Sequence, residues 1–335
     1  MAKGWGKKTI GAGLCVAALA ITSVNVEAAG NEYLYSYMNQ KTQKIGFVDA
    51  KGKEITKAVY DFSDYTAEGM TLVGKNNKCG YLNAKGKEVI KPQYESANSF
   101  SEGLAVVQYQ DGYGYIDKKG KWVIKSLKSD YCGDFHNGLA VVENNGKYGY
   151  INKKGKWVIK PSYKAADSFS EGLASVSKNG LTYAIIDTKG KEITNFKYDQ
   201  INGYSDQLAA VEVNGKWQYL DTDGNCVYKV KEGDTVGAYA DGLAYIVNDK
   251  GAGYVDKTGT VVIPAKYESA NTFSEGYAAI KKNGKWGFIN TKGEIVVKPV
   301  YEEVEDFHGG LAMVYKNKKW SYVNTKGEVA FVCPK

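Results

Sequence analysis

Arginine is absent from this 335-residue chain. All 44 basic residues are lysine, against 37 acidic ones, so the net charge is +7. Nucleic-acid readers rely on guanidinium forks and a concentrated positive field, and a chain with neither is expected to bind no nucleic acid. Histidine is nearly missing too, with His136 and His308 the two copies. No HExxH and no G-x-S-x-G occurs, which removes two common hydrolase signatures. Five cysteines show no CxxC spacing, so zinc and thiol-redox motifs fit poorly. Beyond residue 28 no stretch approaches the ~20 apolar residues of a membrane helix. What remains is 43% apolar and rich in tyrosine (27) and glycine (39), which excludes wholesale disorder.

The amino end reads as an export address. Lys3, Lys7 and Lys8 precede an apolar run from Thr9 to Val26, and Val26 and Ala28 supply the −3 and −1 positions of a cleavage site before Ala29. Leu14 before Cys15 argues against a lipoprotein signal. The expectation is a signal peptide over 1–28 and a secreted or surface-held product of 307 residues with a net charge of +5.

The product is one repeat array. Gly52, Gly86, Gly120, Gly155, Gly190, Gly224, Gly259, Gly293 and Gly327 follow one another at intervals of 34 or 35 residues, the mark of a repeat architecture. Three residues before each glycine stands Asp or Asn, as in Asp117 and Asn290. That pair specifies a tight turn closing a hairpin. Four before is Val, Leu or Ile; five before is aromatic in eight of nine, Ile185 being the exception; six before is Gly in six of nine. Strand A (KWGFIN, 285–290) therefore enters the turn and strand B (KWVIK, 121–125) leaves it. A glycine inside strand A predicts close approach of another group, here the aromatic of a neighbouring unit. Strand C (LAVV, 104–107) returns to strand A through links such as NNGK.

Between B and C lies a linker, whole in SFSEGLA at 99–105 and 168–174. Three antiparallel strands would reverse each successive unit, so the linker must cross the sheet as well, either as a covering crossover or, the favoured form, as a short fourth strand over YESA (94–97, 267–270). Apolar residues on both faces of the strands imply meanders sandwiched between neighbours. The expected fold is all-β: nine units over 29–335, stacked as an open twisted array of roughly 90 Å at ~10 Å per sheet. The alternative is a closed β-propeller. Two arguments favour the open form: nine units exceed the usual ~4–8 blades, and no unit is visibly shared between the ends of the array.

These residues resemble the bacterial WG-repeat family, named for its Trp-Gly pair. The best single stretch is NGKWGFINTKGEIVVKPVYEEVEDFHGGLAMV, 283–314, and the likeness covers about 31–335. Units five and six depart most, with Ala184, Gln218 and a replaced linker at 230–237. The resemblance implies an exported or surface-associated array and supplies no catalytic residues.

The recurring tryptophans Trp217, Trp286, Trp320, Trp122 and Trp157 are expected in the repeat core. DTDG at 221–224 resembles a calcium-loop opening, yet in register it is one more hairpin turn, so no metal site and no cofactor is expected. Glu68, Glu102, Glu171 and Glu275 all precede a linker glycine, which speaks for turn geometry. Cys79, Cys132, Cys226 and Cys333 allow three pairings; Cys79 with Cys132 is compatible with an open stack and Cys226 with Cys333 is not. The resulting expectation is a non-catalytic binder of a wall polymer, glycan or protein, with scattered aromatics, no dominant cleft, and its surface where the copies differ, at 179–242. A spacer without a ligand is the second reading. An enzyme is disfavoured, and a deep pocket holding His136 or His308 beside a carboxylate would revive it.

Overall fold

The turn chemistry written nine times acts the same way each time. In Asp117–Gly120 the Asp117 carboxylate accepts bonds from the Lys119 and Lys121 amides, both at 2.9 Å. The Gly120 amide donates to the Asp117 carbonyl at 2.8 Å. Gly120 then takes φ +79°, a conformation that a Cβ resists.

A computed structural model describes residues 33–110 and 112–334. Residues 1–28, read above as a signal peptide, lie outside the described residues. No helix occurs among the described residues, and the strands form nine antiparallel sheets in chain order. A full sheet runs short strand, C, A, B. In the third it is Ser96–Ala97, Leu104–Tyr109, Gly112–Asp117 and Trp122–Leu127. The short crossing strand required by parity is therefore present at YESA.

The sheets, numbered here as blades 1 to 9, do not form an open stack. Nine apolar clusters join them, each made of two adjacent blades, and one unites Tyr35, Tyr37 and Val48 of blade 1 with Leu311, Tyr322 and Phe331 of blade 9. The chain is a closed nine-bladed propeller, the alternative form rather than the expected one. The blade count misled because closure depends on the wedge angle between neighbours, not on a fixed number. The absence of a shared blade misled because side chains close the seam, and no strand exchange is needed.

Strand A glycine has another cause than the one expected. A Cβ on Gly80 would lie 2.5 Å from both the Ile90 carbonyl oxygen and the Pro92 nitrogen. Gly149, Gly253 and Gly287 meet the equivalent backbone. Strand B of the same blade bulges here, between the Cys79–Tyr94 and Tyr81–Ile90 pairs, and the bulge presses on strand A. It also bends the chain toward the next blade.

Two predictions follow from this packing. Gly80→Ala forces backbone against backbone and should cost about 3 kcal/mol or more. Gly103→Ala has open space around its Cβ and only its positive φ to resist, a cost of about 1–2 kcal/mol. Chemical denaturation of the two variants checks the order, and equal losses would contradict the bulge account. Tyr35→Ala empties the seam and should cost about 3–5 kcal/mol, with a larger radius of gyration by X-ray scattering if the ring opens; an unchanged midpoint would deny Tyr35 its closing role.

Candidate functional site

Around the ring, the strand A aromatic of one blade is buried beneath the linker of the next. The Tyr81 ring meets Phe100 at 4.8 Å, Tyr115 meets Phe135 at 4.7 Å, and Tyr150 meets Phe169 at 4.6 Å, all at steep interplanar angles of 56–61°. Their hydroxyls donate to linker carbonyls at Asn98, Gly133 and Asp167, 2.6–2.7 Å away. The seam between blades 9 and 1 is different. Tyr35 stands where seven blades have alanine and one has Thr71. Its ring lies 5.3 Å from Tyr322, in place of a linker aromatic, and its hydroxyl donates to the Gly309 carbonyl at 2.7 Å. Tyr322 donates to Ser36 O at 3.0 Å.

Blade 1 is also the one blade with no chain segment beside its strand C among the described residues; its sheet is Tyr35–Asn39, Lys44–Val48 and Glu54–Tyr60. A cavity of about 360 Å³ runs along that edge. Its walls come from three blades: Leu34 to Met38 of blade 1, Ser63 to Thr66 of blade 2, and Glu305, Asp306, His308 and Trp320 of blade 9. Two contacts span it. The Tyr65 hydroxyl donates to Glu305 Oε2 at 3.0 Å, and the Tyr65 ring lies 3.9 Å from the His308 imidazole. In four other blades the His308 position is serine, and Ser101, Ser170 and Ser274 donate to the next linker's carbonyl. His308 reaches past blade 1 to blade 2 instead.

Burial sets the electrostatics here. It raises the Glu305 and Asp306 carboxyls, against the bonds from Tyr65 and Asn271. It lowers His308, against the pull of Glu275, Asp306 and Asp64. His308 is therefore neutral at pH 7, and the lining charges are all negative: Asp64, Glu305 and Asp306, with no lysine.

The WG containing repeat matches residues 45–79, 80–112, 113–148, 148–181, 183–217, 253–286 and 286–320, well over half the chain. The chain belongs to the WG-repeat family. The stretch left unmatched, 218–252, falls among the most divergent copies. No curated protein matches the sequence. Among solved structures, a eukaryotic initiation factor is similar at TM-score 0.63 and 12% identity, covering 90% of this chain and 95% of its own. BamB from Moraxella catarrhalis is similar at TM-score 0.42 and 13% identity, covering 78% and 93%. At such identity the first likeness concerns fold alone, and the second carries no weight.

In this WG-repeat propeller the predicted residues fall as follows. The nine turn glycines all sit in A–B turns at positive φ. The five tryptophans are not in the core as expected. Trp122, Trp217 and Trp286 pack at cluster margins, Trp157 is 36% exposed, and Trp320 lines the cavity. The fully buried rings are Tyr81, Tyr115, Tyr150 and their equivalents, because their position faces the next blade, while the tryptophans flank the sheet's outer strand. His136 in blade 4 and His308 in blade 9 are not brought together. The four cysteines among the described residues are free thiols, with Cys79 and Cys132 buried. The DTDG turn uses the Asp221 carboxylate to accept the Asp223 and Asn225 amides. The cavity does not lie at the expected surface, 179–242, and a second cavity of about 350 Å³ lies between Tyr301 of blade 8 and Val314 and Lys319 of blade 9.

Sequence reasoning missed the linker acids as inter-blade ties. Glu68 accepts from the Gly103 amide and Glu102 from Gly138, each at 3.0 Å. Lys118 and Lys153, from the hairpin tips, pair with the same two carboxylates. Burial works to raise Glu102, but Lys153 and the Gly138 amide outweigh it and hold the carboxyl low.

His308 gives a pH prediction. Its folded pKa lies below the ordinary ~6.5, so the unfolded chain binds more protons near pH 6 and stability falls as pH drops through that window. Relative to His308→Ser, the wild type should lose stability between about pH 7 and 5, read from urea midpoints. Parallel pH curves for the two proteins would show that the imidazole is not desolvated.

Proposed function

We propose that this WG-repeat propeller is an exported, non-catalytic binding module whose ligand, a wall polymer, another glycan or a protein, is held in the cavity between blades 9, 1 and 2. The observation that carries the reading is the cavity of about 360 Å³ at one position of an otherwise regular ring. Regular repeats explain a scaffold. They do not explain why three blades gather Tyr35, Tyr37, Tyr65, Tyr322 and Trp320 around a concave surface. Aromatic faces with a few fixed polar groups are the usual lining of a recognition site. The amino-terminal lysines and apolar run support export.

His308 beside Asp306 and Glu305 is the arrangement that would favour catalysis. Two features argue against it. The imidazole is stacked on Tyr65 rather than hydrogen-bonded to a nucleophile. The Glu305 oxygen is occupied by the Tyr65 hydroxyl. The groups serve the geometry of the seam.

The test is retention of the chain starting at Ala29 on purified wall fractions, a glycan array and a surface-protein extract, beside Tyr65→Ala and Trp320→Ala. Retention that both substitutions weaken at least about fivefold, roughly 1 kcal/mol, supports the reading. Retention on nothing returns the protein to a spacer role.

A further inference from the structure

The residue two places after the turn glycine reaches the groove between its blade and the blade before. In blade 3 it is Trp122. Its indole lies 5.9 Å from the Tyr94 ring of blade 2 and 6.1 Å from the Tyr109 ring of its own blade. It passes so close to Gly114 that a Cβ there would stand 2.6 Å from Trp122 Cζ3. In blade 2 the same position is Glu88, which accepts from the Tyr60 hydroxyl of blade 1 at 3.1 Å, while Lys75 Nζ stands 5.9 Å from the centre of that ring. In blade 5 it is Glu192, paired with Lys178 at 2.6 Å. These three blades fill the groove from their own chain, one with an indole and two with a carboxylate.

Blade 9 has neither. Its residue is Val329, 56% exposed, and the second cavity, of about 350 Å³, opens there between Tyr301 of blade 8 and Val314, Lys316, Lys319 and Ser321 of blade 9. The walls match those around Trp122 one for one. An offset of 207 residues relates Tyr301 to Tyr94, Val314 to Val107, Lys316 to Tyr109 and Ser321 to Gly114, and also Val329 to Trp122. The buried floor is kept in Tyr301 and Val314. The cation of blade 2 is kept as well, with Lys316 Nζ 5.9 Å from the centre of the Tyr301 ring. Only the filling group is missing, and the volume falls within the roughly 300–1,000 Å³ of small-ligand pockets.

Charge gives the second half of the guest. Lys44, Lys78 and Lys285 hold the place of Lys319 in blades 1, 2 and 8, and each pairs with a carboxylate. Among the described residues Lys316 and Lys319 have no such partner. Two uncompensated ammonium groups at the mouth of an aromatic floor attract an anion, and a ring laid on Tyr301 gains apolar burial and edge contacts.

We propose that the groove between blades 8 and 9 binds an aromatic ring that carries a carboxylate, the ring seated on Tyr301 and Val314 and the carboxylate held by Lys316 and Lys319. The guest brings together the two groups that blades 3, 2 and 5 supply for themselves. Ser321, in place of Gly114, sets the ring slightly farther out than Trp122 and adds a hydroxyl beside it. The site is separate from the cavity beside Tyr35, and the two readings stand or fall independently.

The test titrates N-acetyl-tryptophan, N-acetyl-tryptophanamide and N-acetyl-alanine into the chain from Ala29 by calorimetry, together with a Gly-Ser peptide ending in tryptophan, either as the free acid or amidated. N-acetyl-tryptophan should bind at least about tenfold tighter than the amide or the alanine control, with affinity falling as salt rises. Equal or tighter binding of the free-acid peptide supports the proposal with a protein carboxyl terminus as the source, and binding of N-acetyl-tryptophan alone supports it with a small aromatic acid. Val329→Trp with Ser321→Gly rebuilds the filled groove of blade 3 and should weaken binding at least about tenfold without lowering the urea midpoint. Lys316→Met with Lys319→Met should weaken it about tenfold, and Tyr65→Ala, in the other cavity, should leave it unchanged. Equal binding of acid and amide, full affinity in the filled or lysine-free groove, or no binding of any probe overturns the assignment.

Discussion

In eight of the nine blades strand A carries an aromatic ring that its own sheet cannot cover, and the next blade covers it. A sheet of three or four short strands has two apolar faces and too little chain to shield either. Tyr81, Tyr115, Tyr150 and Tyr254 reach full burial only beneath the Phe100, Phe135, Phe169 and Phe273 linkers of their neighbours. Their hydroxyls then need acceptors, because a buried phenol without one costs free energy, and linker carbonyls supply them. One contact thus sets spacing, orientation and register between blades. Carboxylates on linker turns, bonded to the next blade's amides, repeat the hand-off at the ring's face.

Such a chain of hand-offs has two ends unless it closes. The ninth blade presents Tyr322 to a first blade that offers no linker ring, and Tyr35 answers from strand C. The substitution of a large ring for the alanine found elsewhere is the local price of closure without a shared strand. A cavity of about 360 Å³ lies beside the seam that Tyr35 closes.

Much of this was legible in the sequence. The period, the Asx–Gly turns, the buried face of strands C and A, and the crossing strand at YESA all follow from residue types at fixed offsets. Closure did not, because the wedge between blades depends on how strand B bulges over Gly80 and its equivalents, a backbone event that side-chain pattern does not encode. The site was hidden for a related reason. Attention to divergent copies pointed to 179–242, where the turns and linkers vary, whereas the cavity lies beside Tyr35 in a unit whose hairpin is regular. A comparison of the column Ala105, Ala140, Ala174 with Tyr35 would have found it. His308 was likewise read as a linker residue, and its reach to Tyr65 required knowing that blades 9 and 2 flank blade 1.

Closure is the claim on which the cavity and its proposed guest depend. It is tested most directly by the distance between the first and last blades in solution, using spin labels on non-canonical residues at the exposed turn positions Lys51 and Lys326 and double electron–electron resonance. A closed ring predicts about one to two sheet spacings, roughly 10–25 Å. A distance near 80 Å, eight sheet spacings at ~10 Å each, would mean that the blades form an open spiral and that the seam at Tyr35 does not exist.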